Sequence, residues 1–252
     1  MQQPPAPAFP FRPRISPAAA LWGVIGLGLL FAAMRVVGTL GPAAWRALLP
    51  LSFVLMVITP WVLLSKDGRA QIGLKAPSRP LNSYGWALAF GISAATACFL
   101  LGMALFGTTA DNWIVSVAAS YQRAMNTTGF SLPMLHLAFT LPAALFSPIG
   151  EEIFFRGVLR RTLEMRLSER ASTAWECGAF GVVHLCHHGL FWGSTGLGVH
   201  VLSGAIWVGL MAATAWGFAV IRKRSGSVFP AVVAHAAFNV AMNVGIFGAL
   251  WF

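Results

Sequence analysis

The chain has 252 residues, 57% of them hydrophobic and only 10% charged, with a mean hydropathy of +0.72. A soluble domain carries roughly 25% charged residues, so the composition excludes a water-soluble globule, and disordered, collagen-like and disulfide-scaffold classes with it. The net charge of +10 arises from 17 Lys and Arg against 7 Asp and Glu. In a chain this apolar, the positional bias of basic residues in membrane proteins accounts for that excess better than nucleic acid does. Cys98, Cys177 and Cys186 lie in apolar stretches at irregular spacing; they read as buried thiols rather than a disulfide framework or a zinc knuckle.

Residues 1–18 are Pro-rich and carry Arg12 and Arg14, which predicts a short disordered cytoplasmic tail. Apolar runs follow near 19–40, 43–64, 85–107, 131–155, 172–190, 196–221 and 228–250, each near the roughly 20 residues that cross hydrocarbon. The expected fold is therefore all-α: one polytopic transmembrane helix bundle of about seven spans over 19–252, with its motif-bearing core at 131–250. The long loop 108–130 has room for a short interfacial helix.

With the N-terminus cytoplasmic, the cytoplasmic segments hold most of the basic residues: Arg12 and Arg14; Lys66, Arg69, Lys75 and Arg79; Arg156, Arg160, Arg161, Arg166 and Arg170; Arg222, Lys223 and Arg224. The opposite side keeps Arg123, with Arg35 and Arg46 near a Gly41-Pro42 hairpin. This bias fixes the expected orientation, and the expected location is the plasma (inner) membrane of a bacterium. Trp22, Trp45, Trp61, Trp86, Trp192 and Trp251 stand near span ends, where indoles anchor at the interface.

Ionisable groups inside apolar runs are costly in a bilayer and mark function by default. Three clusters stand out. In Ser147-Pro148-Ile149-Gly150-Glu151-Glu152-Ile153-Phe154-Phe155-Arg156, Glu152 and Arg156 are four apart on a helix and can neutralise one another. Glu151 lies about 100° around that helix and outside the pair, which frees it for chemistry. The second cluster, Phe180 to His188, places His184 deep in an apolar run, with His187 and His188 nearer its outer end. The third places His235 and Asn239 four apart on one face among small alanines. Each has a plain structural reading: a snorkelling helix end, a hydrogen-bonded buried His, a helix–helix amide bond. Together they offer a carboxylate, two imidazoles and an amide on three helices. Glu151 and His184 can hold and activate a water, while His235 and Asn239 can donate to a developing oxyanion. That set is complete for amide hydrolysis without a covalent intermediate.

The three clusters, Glu151-Glu152-Ile153-Phe154-Phe155-Arg156, Phe180-Gly181-Val182-Val183-His184 and His235-Ala236-Ala237-Phe238-Asn239, resemble the ordered motifs of the CAAX-protease and bacteriocin-processing family of intramembrane endopeptidases. Ile72-Gly73-Leu74-Lys75 and Ser225-Gly226-Ser227-Val228-Phe229-Pro230 also look like segments of that family. The clear likeness covers about 140–245. It implies Glu151 as the water-activating base beside His184, His235 and Asn239 as the oxyanion site, Glu152 and Arg156 as the structural pair, and Phe180 as the aromatic of the second motif. It implies a membrane-associated protein or peptide substrate in the lipid bilayer. Members are described both as glutamate-type and as metal-dependent; no His-Glu-x-x-His is present, and a divalent metal such as zinc would have Glu151, His184 and His235 as its ligands. Two other classes stay open. One is a di-iron membrane oxidase built on His184, His187 and His188. The other is a non-enzymatic scaffold, immunity protein or transporter.

Overall fold

A computed structural model describes residues 10–12, 15–125, 127–193 and 196–251. Ten helices are named in chain order: α1 Pro17–Leu40, α2 Leu48–Leu63, α3 Lys66–Gln71, α4 Pro80–Phe106, α5 Trp113–Ala124, α6 Leu132–Glu151, α7 Arg160–Leu163, α8 Glu169–Val183, α9 Val201–Ser225 and α10 Phe229–Ala249. A π-helical stretch, Glu152–Leu159, joins α6 to α7. Two antiparallel strands, β1 Leu190–Gly193 and β2 Gly196–Val199, link α8 to α9.

The fold is an all-α polytopic bundle, and six segments among the described residues are long and apolar enough to cross a membrane: Pro17–Leu40, Ala43–Leu63, Pro80–Phe106, Leu132–Leu163, Val201–Ser225 and Phe229–Ala249. The expected span at 172–190 differs. α8 has 15 residues, about 22 Å at 1.5 Å per residue, which is short of the roughly 30 Å hydrocarbon core. The chain then makes a 3₁₀ turn at His184–Cys186 and enters the hairpin, so the segment after His184 is not helix and α9 begins at Val201 rather than 196. The 108–130 loop does hold a helix, α5. Of the expected tail, residues 1–9 and 13–14 lie outside the described residues. Pro10 to Arg12 are packed: Phe11 is buried and bridges to Leu64, and the Pro10 carbonyl accepts from the Ser65 amide.

Side chains that face lipid carry the apolar surplus. Leu29, Leu100, Leu137 and Leu141 are exposed, as are Trp22, Trp45, Trp61 and Trp86 toward helix ends and Trp192 in β1. The interior is lined by small residues that let backbones approach. A Cβ on Gly91 of α4 would collide with the Ala234 carbonyl of α10, and one on Gly181 of α8 would reach the Val208 carbonyl of α9 at 2.6 Å. The bundle has one strongly basic end. There Arg161 bonds Gln71, Arg160 pairs with Glu164 and Glu169, Lys223 pairs with Glu169, and Arg222 donates to the Gln71 carbonyl. The two lesser motifs meet at this end. The Val228 amide donates to Gly73 O at 3.0 Å, and Ser227 Oγ donates to Lys75 O at 2.6 Å. Gly73 sits at φ +91°, open to glycine but costly for other residues.

Candidate active site

Glu151 is the last residue of α6, and Pro148 lies one turn before it. Pro148 has no N–H for the Ala144 carbonyl, which loosens the helix just where it widens into the π-helical turn. Glu151 and Glu152 are both fully buried. Glu151 Oε1 is held by Arg35 Nη1 at 2.5 Å and by Ser147 Oγ at 3.2 Å. Its other oxygen, Oε2, makes no hydrogen bond among the described residues and faces His184 Nε2 at 4.0 Å and His235 Nε2 at 3.9 Å.

Each imidazole is oriented by its second nitrogen. His184 Nδ1 meets the Phe180 carbonyl at 2.7 Å, and a carbonyl only accepts, so Nδ1 carries the proton and Nε2 presents a lone pair. That bond also folds the ring back along α8 by about one turn, which lets a residue at the helix end reach Glu151 lower in the bundle. His235 Nδ1 meets Glu152 Oε1 at 2.9 Å. Arg156 Nε lies 3.1 Å from Glu152 Oε2 and 3.7 Å from Glu176 Oε2, and its guanidinium stacks 4.1 Å from the Phe180 ring centroid. Phe218 stacks on His235 at 5.1 Å. Phe180 thus stands between Arg156 and the two histidines.

The structure brings Glu151, Glu152, Arg156, Phe180, His184 and His235 together. Asn239 is on the same wall, but its Nδ2 donates to the Ala143 carbonyl at 2.8 Å, tying α10 to α6. Three partners escaped the sequence reading. Arg35 is not at the hairpin; it is 1% exposed and grips Glu151, which is therefore not the free carboxylate expected. Its other nitrogen lies 3.1 Å from His187 Nε2, which makes His187 the second partner. Glu176, the third, is a second buried acid for Arg156. The shared signal was available: each is an ionisable group inside an apolar run.

A cavity of about 550 Å³ lies over this cluster, lined by Ser147, His184, His235 and Asn239 toward Glu151, and by Arg46, Tyr121, Arg123 and Trp192 toward its mouth. An opening toward the cytoplasmic half is expected from the sequence; the lining extends from Glu151 away from the basic cluster. The mouth is built from the α1–α2 connection, α5 and β1, at the end opposite the basic cluster. Among the described residues no acid lines it.

Two carboxylate-and-imidazole chemistries can be tested on these distances. Zinc bonds of about 2.0–2.2 Å at tetrahedral angles bring two donors to about 3.4 Å; the separations of 4.0 and 3.9 Å are wider, and Arg35 already neutralises Glu151. Among the described residues no group of three His, Cys, Asp or Glu is placed to hold a metal. The His184-His187-His188 box does not converge either. His188 turns away, with Nδ1 on Ser116 Oγ at 2.8 Å and Nε2 on Ser203 Oγ at 2.9 Å, which leaves neither nitrogen for iron.

Residues 133–241, which hold all three motifs, match the family model described as Type II CAAX prenyl endopeptidase Rce1-like. The motif-bearing segment is similar to this protease family. No curated protein and no solved structure matches the chain. The likeness covers less than half of the chain, which as a whole has six segments long and apolar enough to cross a membrane among the described residues. Arg35 and Tyr121 fall outside the matched segment, so the candidate site draws on helices beyond it.

Proposed function

We propose that the chain is an intramembrane endopeptidase that cleaves a membrane-associated protein or peptide with a water activated by Glu151. The observation that carries this reading is the convergence of Glu151 Oε2 with the Nε2 atoms of His184 and His235 beneath the cavity floor. A water donating to Glu151 Oε2 and His184 Nε2 attacks the scissile carbonyl as Glu151 takes its proton. Glu151 then hands that proton to the leaving amine, so acid and amine form without net proton change. His235, backed by the Glu152 carboxylate, is the imidazole placed to carry a second proton and donate from Nε2 to the oxyanion. Asn239 offers its remaining N–H one turn along α10. Arg156, Glu176 and Phe180 hold Glu152 and the rings in place. No step runs through a metal, because the donor spacing does not suit one.

We place the protein in a bacterial plasma membrane with the basic end, and so the N-terminus, cytoplasmic. The test uses purified protein in detergent, with variants assayed for folded yield and for cleavage of a membrane peptide library. Glu151→Gln keeps shape but not proton acceptance, and cleavage should fall at least about 100-fold. Asn239→Ala should lower kcat by about 100- to 1,000-fold, more than it changes KM. A fully active Glu151→Gln enzyme would remove the reading.

A further inference from the structure

α8 ends at Val183, and the 3₁₀ turn His184–Cys186 brings His187 beside His184, its amide donating to the His184 carbonyl at 3.0 Å. The two ring centroids stand 5.6 Å apart, and both residues line the cavity. His187 lies outside the three motifs, and the proposed chemistry does not use it. Its Nε2 is 3.1 Å from Arg35 Nη2. A guanidinium only donates, so Nε2 accepts, and the neutral ring carries its proton on Nδ1. That Nδ1–H has no hydrogen-bond partner among the described residues. Neighbouring polar groups are committed elsewhere: Arg35 Nη1 and Ser147 Oγ to Glu151, and His184 Nδ1 to the Phe180 carbonyl. Arg35 therefore fixes two groups at once. It leaves Glu151 Oε2 for the water and His187 Nδ1–H for a molecule that enters the cavity. A donor on a poorly solvated wall is costly without an acceptor, and a bound chain that supplies one gains by it.

We infer that His187 Nδ1–H binds a backbone carbonyl of the substrate chain beside the scissile bond, with Arg35 holding the ring in the tautomer that donates. An extended chain advances about 3.3 Å per residue, so a donor one ring away from His184 meets a carbonyl one or two residues from the one attacked. The inference rests on the endopeptidase reading. Its test uses the purified full chain in detergent and one library peptide that the wild type cleaves. That peptide is remade as a series in which each amide flanking the cut is in turn a trans-alkene, which keeps the shape and drops the carbonyl oxygen and the N–H. His187→Gln puts an amide oxygen where Nε2 accepts from Arg35 and no donor at Nδ1; His187→Asn does the reverse. In the wild type, one alkene, one or two residues from the cut, should raise KM about 3- to 10-fold, as for one neutral hydrogen bond, while kcat holds. His187→Gln should show that higher KM with the unmodified peptide and no further rise with the alkene. His187→Asn should keep the wild-type KM and the sensitivity to the alkene, so either variant alone decides the matter if the other folds poorly. Alkene effects equal in the wild type and His187→Gln, or lost in His187→Asn, would overturn the inference and leave the peptidase reading intact. A wild type that cleaves no peptide, or equal cleavage by Glu151→Gln, would remove the peptidase reading and this inference with it.

Discussion

Arg35 and Glu151 show how one buried charge shapes another. A carboxylate with zero exposure must have a partner, and Arg35 supplies it from α1 across a separation of 116 residues. Because Arg35 and Ser147 both take Oε1, Oε2 is the oxygen left for chemistry. Removing the guanidinium strands Glu151, an effect of about 3–5 kcal/mol for a broken buried pair. Arg35→Ala should therefore lower folded yield and thermal midpoint. Arg35→Lys keeps the charge but not a fork that reaches both Glu151 and His187; it should fold near normally and lose kcat while KM holds. Detergent-solution melting curves beside kinetics separate the two, and an unaffected kcat in Arg35→Lys would show that Arg35 only neutralises. Glu152→Gln should likewise cut folded protein, since the nearest carboxylate left to neutralise Arg156 would be Glu176, at the longer contact. Solubilised yield relative to wild type reads this.

At the scale of elements, the site depends on where helices stop and how closely they pass. α8 ends at Val183 and turns into a short 3₁₀ segment, so His184 stands at a helix end and its ring can fold back to Phe180. A helix continued through 184–190 would carry His187 and His188 onward around its axis instead of leaving His187 against Arg35 and His188 between Ser116 and Ser203. α10 is held against α4 by glycine. A methyl on Gly91 meets the Ala234 backbone, next to His235, and cannot be relieved by a side-chain rotation. Gly91→Ala should cost about 1–3 kcal/mol by overpacking and shift His235. Gly85→Ala, in the same helix with open space around its Cβ, should have little effect. Melting curves of the two variants compare them directly, and equal melting points would refute the close-packing account.

Over the whole molecule, composition fixes the solvent and charge fixes the ends. The apolar excess, the span lengths and the basic clustering are properties of local sequence, and they required no knowledge of contacts: lipid favours helices that satisfy their own backbone, and the basic residues gather at one end. The three motifs were likewise legible, because a carboxylate or imidazole inside an apolar run is expensive wherever the chain later goes. Tertiary structure decided what each charge meets. That Glu151 is gripped by Arg35 rather than free, that Glu176 joins Arg156, and that Asn239 bonds the Ala143 carbonyl are pairings between residues on different helices. No spacing rule within one helix can reveal them. The span count also moved, since the stretch 172–190 carries Glu176 and three histidines and its backbone leaves the α-helix at His184. The direction of the cavity lay furthest from the sequence. It follows from which side chains line the cavity and which, such as Phe154, Phe155 and Val158, are buried beside it, and that is a property of side-chain packing among all the helices at once.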